Sequence, residues 1–255
     1  MRPFFRLLRV ALIAIAALFP LFAVGADTAE LIVKADALDK QGRNQEALGV
    51  CLEAEKLSPD DAEVLRRVAK QYAESVLDAR DPARKRALAD NALTYARRAV
   101  AANPRSALAH LSLAICYGRA ATVVEARTRI AYSKLIKESA DNALALDPTN
   151  DLTHFVLGSW SYEMANLNGF LRAIARVVYG AIPTATNQDA VRFLEKAVAL
   201  NPRRVASQAA LGRSYAALGD RERARQSFNR ALSLPVGDKG DDILKEQARM
   251  ELGKL

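Results

Sequence analysis

Hydrophobic positions in this chain follow two patterns. Residues 10–24 form an apolar run broken by Pro20. Beyond it, apolar residues recur at the three- and four-residue spacing of a helix face. Prolines divide this helical region. Pro59, Pro104, Pro148 and Pro202 each follow one helical stretch and precede another. Proline cannot continue a helix but suits the first turn of the next. Nine residues after these prolines stand Val68, Leu113, Leu157 and Leu211; ten after, Ala69, Ala114, Gly158 and Gly212; thirteen after, Tyr72, Tyr117, Ser161 and Tyr215. Five residues before the same prolines stand Ala54, Ala99, Ala143 and Ala197, and twelve before, Ala47, Ala92, Ile136 and Ala190. Large and small residues thus share one face of each helix, so a partner helix can approach over the small one.

The pattern is most complete near the C-terminus. There Leu211-Gly212-Arg213-Ser214-Tyr215 is followed by Gly219, Ala224, Phe228 and Ala231. The first repeat carries Ala35, Gly42, Ala47, Cys51, Ala54 and Pro59. At these residues the chain resembles the tetratricopeptide repeat (TPR) family. The resemblance implies an all-α fold: a right-handed α-solenoid of about five helix pairs, forming one domain over residues 27–255. Residues 235–240 read as a turn and 241–252 as the capping helix that an open array end needs.

The repeats differ in length. From the small residue of the first helix to the marker of the second there are 12 residues in the last repeat (Gly212 to Ala224). The same interval is 23 from Ala69 to Ala92, 22 from Ala114 to Ile136 and 32 from Gly158 to Ala190. In the second and third repeats the excess predicts longer helices on both sides of the turn, with Asp81-Pro82 as the one strong breaker. In the fourth it predicts an insertion over residues 166–187 with a helix of its own at 170–179. Gly180 and Pro183 end that helix, and Thr186 or Asn187 caps the next. Arg172 and Arg176 lie four apart on the inserted helix. They read either as solvated charges on an amphipathic packing element or as anion contacts on a lid over a groove. Phe155, Ser159, Trp160, Tyr162, Arg172, Arg176, Tyr179 and Arg213 are the candidate groove for a ligand or partner.

A narrower resemblance rests on Leu157-Gly158, Trp160, Tyr162, Ala165, Leu167, Arg172, Ile174-Ala175, Tyr179, Pro183, Thr186, Ala190, Phe193 and Ala197. It extends upstream to Ala145-Leu146-Asp147-Pro148 and His154. At these positions the chain is similar to the regulators of microtubule dynamics and their bacterial relatives. That resemblance implies a helical-repeat binding domain and no enzyme. Eukaryotic members are associated with microtubules and organelle contacts, and the repeat domain of one binds phospholipid.

The N-terminal run adds an address. Arg2, Arg6 and Arg9 precede it and Val24-Gly25-Ala26 follows, so residues 1–26 read as a secretory signal peptide with Asp27 opening the mature chain. The alternative is an uncleaved inner-membrane anchor; an exported bacterial chain would sit in the periplasm and meet no microtubule. With 37 basic and 29 acidic residues the chain carries +8, and +5 without the leader's three arginines. The basic residues are scattered among acids, which describes solvated helix faces rather than a nucleic-acid surface. Cys51 and Cys116 fall on apolar positions of different repeats and read as buried free thiols. His110 and His154 both stand six residues after a repeat proline and read as structural, because no cysteine or carboxylate cluster joins them to make a metal site. No phosphate-binding loop, nucleophile elbow or zinc-protease motif is present, so neither cofactor nor metal is expected. The sequence thus predicts an exported, non-enzymatic scaffold for a protein or peptide partner. A lipid or amphiphile carrier, with its groove under residues 166–187, is the alternative.

Overall fold

A computed structural model describes residues 19–255, with side-chain environments from residue 27. The leader expectation falls mostly on residues 1–18, outside the described residues. Twelve α-helices and no strand occur among the described residues. Five antiparallel pairs build the array: α1 (Phe19–Lys40) with α2 (Asn44–Leu57), α3 (Ala62–Asp78) with α4 (Pro82–Ala102), α5 (Ala107–Ala121) with α6 (Ala126–Leu146), α7 (Asp151–Ala165) with α9 (Asn187–Leu200), and α10 (Val205–Ala217) with α11 (Arg221–Ser233). The inserted helix is α8 (Gly169–Tyr179), and α12 (Asp241–Leu252) caps the array against α10 and α11. The expected TPR-like solenoid, the inserted helix and the terminal cap are all present. No described helix is long and apolar enough to cross a membrane.

The recurring alanines explain the repeat. Ala54, Ala99, Ala143 and Ala197 are all but inaccessible. Their carbonyls accept the N–H of Ser58, Asn103, Asp147 and Asn201, the residues that end each second helix just before its proline. The helix starts are capped as side-chain chemistry dictates. Asp61 accepts from the N–H of Glu63 and Val64, Asp81 from Arg84, and Asn150 from Thr153. Thr186 and Asp189 form a reciprocal capping box at α9.

The small residues work by contact. A Cβ placed on Gly158 would lie 2.6 Å from Leu194 Cγ, and one on Gly212 would lie 2.7 Å from Phe228 Cδ1 and Cε1. Leu194 and Phe228 are themselves fully buried. The tyrosines pack beside them and reach back to the preceding repeat. Tyr117 accepts from the Arg97 guanidinium at 3.3 Å, and the Tyr215 hydroxyl donates to Glu195 at 2.5 Å. Burial, reinforced by that carboxylate, pushes the Tyr215 phenol up to about 12.

The lengthened repeats differ in one respect from expectation. In the second repeat both helices grow, α3 to 17 and α4 to 21 residues. In the third, α6 reaches 21 residues while α5 stops at 15. A tight turn at Thr122 ends α5, and Glu125 caps the start of α6 through the N–H of Thr128. Because the two helices are antiparallel and joined at that short turn, the N-terminal half of α6 lies beside the end of α5, where Tyr132 meets Tyr117 at 5.3 Å between ring centroids.

Candidate functional site

The inserted helix, α8, packs on α6, the second helix of the preceding repeat, rather than against α7 and α9 that flank it in sequence. The joint centres on Ser133. Trp160 of α7 donates its indole N–H to the Ser133 carbonyl at 2.8 Å. The Ser133 hydroxyl donates to the Ile130 carbonyl at 2.8 Å and meets the Tyr179 hydroxyl at 2.7 Å. The two hydroxyls and the Ile130 carbonyl thus form one short chain of hydrogen bonds. Met164 Sδ lies 3.8 Å from the same serine oxygen, and Ala175 of α8 is fully buried. Burial also raises the Tyr179 phenol above its ordinary value. The space beneath the insertion is thus occupied by Trp160, Met164 and Tyr179.

The eight candidate groove residues do not gather into one groove. Trp160 and Tyr179 share the Ser133 joint, where the Lys137 ammonium stands 5.4 Å from the indole centroid. Tyr162 of α7 and Arg213 of α10 meet on adjacent first helices, guanidinium 5.5 Å from the ring centroid. Phe155 is partly buried and joins two core clusters, one around Leu157 and one around Leu211. The Ser159 hydroxyl is buried without a hydrogen-bond partner. Arg172 and Arg176 are exposed on α8. Arg172 reaches the Ala165 carbonyl at 3.5 Å. Sequence reading missed Ser133 and Lys137; neither interrupts the helical pattern of α6, and only the contacts of Trp160 and Tyr179 single them out.

The outer face of α8 is unusual. Phe170 is 69% exposed and Val177 is 74% exposed, seven residues apart on one stripe, with Arg172 and Arg176 exposed on the other edge of the same face. Residues 164–188 hold no acidic side chain.

The two histidines act on the backbone. Nε2 of His110 donates to the Pro104 carbonyl at 2.9 Å and Nε2 of His154 to the Pro148 carbonyl at 2.8 Å. Gln208, at the same place after Pro202, reaches that carbonyl at 3.5 Å. Among the described residues no group of three or more His, Cys, Asp or Glu is arranged to hold a metal ion.

The profile of the family described as regulator of microtubule dynamics protein 1-3 matches residues 31–255. The chain belongs to that family. It is 26% identical over 228 residues to regulator of microtubule dynamics protein 1 of Mus musculus, covering 89% of this chain and 74% of the relative. It is 29% identical over 208 residues to regulator of microtubule dynamics protein 3 of Xenopus laevis, covering 80% of this chain and 45% of the relative. Among solved structures, a thermophilic TPR protein of Thermus thermophilus superposes with a TM-score of 0.63 at 20% identity, covering 88% of this chain and 99% of that one. That likeness concerns the fold.

Proposed function

We propose that the protein is an exported, non-enzymatic repeat scaffold that holds a protein partner, and that α8 is its principal contact. The observation that supports this is the solvent-facing stripe of Phe170 and Val177. Large apolar side chains held in a row on a rigid helix suit insertion into a partner's groove. The guanidinium groups of Arg172 and Arg176 favour acidic groups at the groove's rim. The families concerned, TPR proteins and regulators of microtubule dynamics, are non-catalytic, which agrees with a binding role.

A photo-crosslinking residue at position 177 should give one adduct of defined mass, lost in Phe170→Ser. The same residue at position 33, on exposed Val33 of α1, should give none. Equal adducts at both positions, or none at either, would reject α8 as the contact.

The same stripe favours a second reading, an amphiphile whose chains lie on Phe170 and Val177 and whose anionic head meets Arg172 and Arg176. Native mass spectrometry of the gently purified protein separates the two. A bound mass in the phospholipid range, lost in Arg172→Glu/Arg176→Glu, supports the carrier; a bare mass supports the scaffold.

The pattern of residues 1–26 supports export to a periplasm. N-terminal sequencing of the mature protein is expected to begin at Asp27. A chain that keeps Met1 and fractionates with membranes would favour the uncleaved anchor. The microtubule role in the relatives' names does not suit a chain with that address.

A further inference from the structure

The first and last repeats touch, although no extensive helix-to-helix packing joins α1–α4 to α10–α12 among the described residues. The contact is made by the turn between α11 and α12. Lys239 Nζ donates to Asn44 Oδ1 at 3.0 Å, at the start of α2, and forms an ion pair with Asp78, the last residue of α3. Beside it, Gly240 faces Leu77; a Cβ there would lie 3.8 Å from Leu77 Cδ1.

The two sides of this contact are built differently. On its own side the turn is rigid. Asp241, 2% exposed, accepts the N–H of Gly237 at 2.9 Å and of Asp238 at 2.8 Å. Arg204 holds Asp238 and also binds Asp151 at 2.6 Å, which ties the turn to α7 and α10. Gly240 takes a positive φ of 91°, which a side chain would resist. Lys245 reaches back to the Leu232 carbonyl at 3.2 Å and to that of Leu234, fixing α12 to the end of α11.

On the far side, Asn44 is a buried receptor that is already organised. Its amide donates to Gln71 Oε1 at 3.2 Å and to Glu74, so its oxygen is turned toward the lysine. Burial holds the Glu74 carboxyl above its ordinary value even with Lys70 and Lys239 near. Asp78 is about half exposed, so its pairing with the lysine is screened by salt.

We propose that residues 235–240 are a latch, with Lys239 as the bolt, that closes the solenoid end to end and opens without unfolding either end. The proposal rests on this juxtaposition: a rigid turn presenting one ammonium to a preformed oxygen pair across an otherwise unpacked junction. Opening frees the start of α2 and the end of α3 from the last repeat, and salt promotes it.

Zero-length carbodiimide coupling of the whole protein reads the closed state directly. At low salt a 78–239 linked peptide is expected, and its yield should fall at high salt. Amide exchange at the start of α2 and the end of α3 should speed up about fivefold in Lys239→Glu, the size of an exposed pair's contribution. The radius of gyration should rise with it. Lys239→Glu combined with Asp78→Lys should restore both values in part, because the swapped pair re-forms while the Asn44 oxygen stays without its donor. Asp78→Asn, on the surface, opens the same contact from the other side if the reversed charge proves disruptive. Absence of the 78–239 peptide at low salt, or exchange and radius unchanged in both single variants, overturns the latch.

Discussion

At the scale of single residues the repeat is a set of contacts fixed by atom size. Gly158 and Gly212 are glycine because Leu194 and Phe228 occupy the space of a Cβ. Gly158→Ala should therefore cost about 1–3 kcal/mol, the penalty of overpacking a closed core. Gly118, inside α5, answers the opposite way, because a Cβ added there would meet nothing within 4 Å. Gly118→Ala should stabilise by about 0.5–1 kcal/mol through helix propensity alone. Urea melts of the two variants beside the parent test both signs. His154 belongs at this scale too. His154→Gln should keep the bond to the Pro148 carbonyl, as Gln208 does in its own repeat, while His154→Leu should lose about 1 kcal/mol. The equivalence of His110 and His154 was legible as spacing. Their shared acceptor was not, because a backbone carbonyl leaves no mark in a string of side chains.

At the scale of elements, the helix pairs could be read from the prolines and the small residues, and so could the existence of α8. What could not be read was where α8 would lie. Its sequence neighbours are α7 and α9, yet it packs on α6, where Tyr179 meets Ser133 and Ala175 is buried. That placement skips over the flanking helices to the preceding repeat, and no local pattern in residues 166–187 announces it. The candidate groove was scattered for the same reason. Trp160 and Tyr179 were expected to line a ligand or partner groove, and they meet at the α6–α8 joint. Ser133→Ala removes the hydrogen-bond partner of the Tyr179 hydroxyl but keeps the carbonyl that holds Trp160. It should cost about 1 kcal/mol. The loss should be local, with amide exchange in α8 speeding up while α10 and α11 stay protected.

At the scale of the molecule, the thiols report whether the array behaves as one body. Cys51 lies in the first repeat and Cys116 in the third; both are buried and unbonded. Burial pushes the first thiol up to about 11 and the second to about 12, so neither offers thiolate to a labelling reagent in the folded state. In an array closed between its ends both should label at one rate, that of whole-molecule opening. In an open array Cys51 should react first, because a terminal repeat has one neighbour and an internal repeat two. Mass-resolved pulse labelling distinguishes the two cases. The global closure was not legible in the sequence: Lys239 and Asn44 stand 195 residues apart, and no local pattern links them.

The meeting of Lys239 with α2 and α3 also bears on how such a chain can change over generations. Repeat arrays grow and shrink readily by duplicating or deleting a unit. Here one unit more or fewer would carry the turn away from Asn44 and Asp78 by the width of a helix pair. Point substitutions can accumulate throughout this chain, but its number of repeats is held by the distance its own two ends must span.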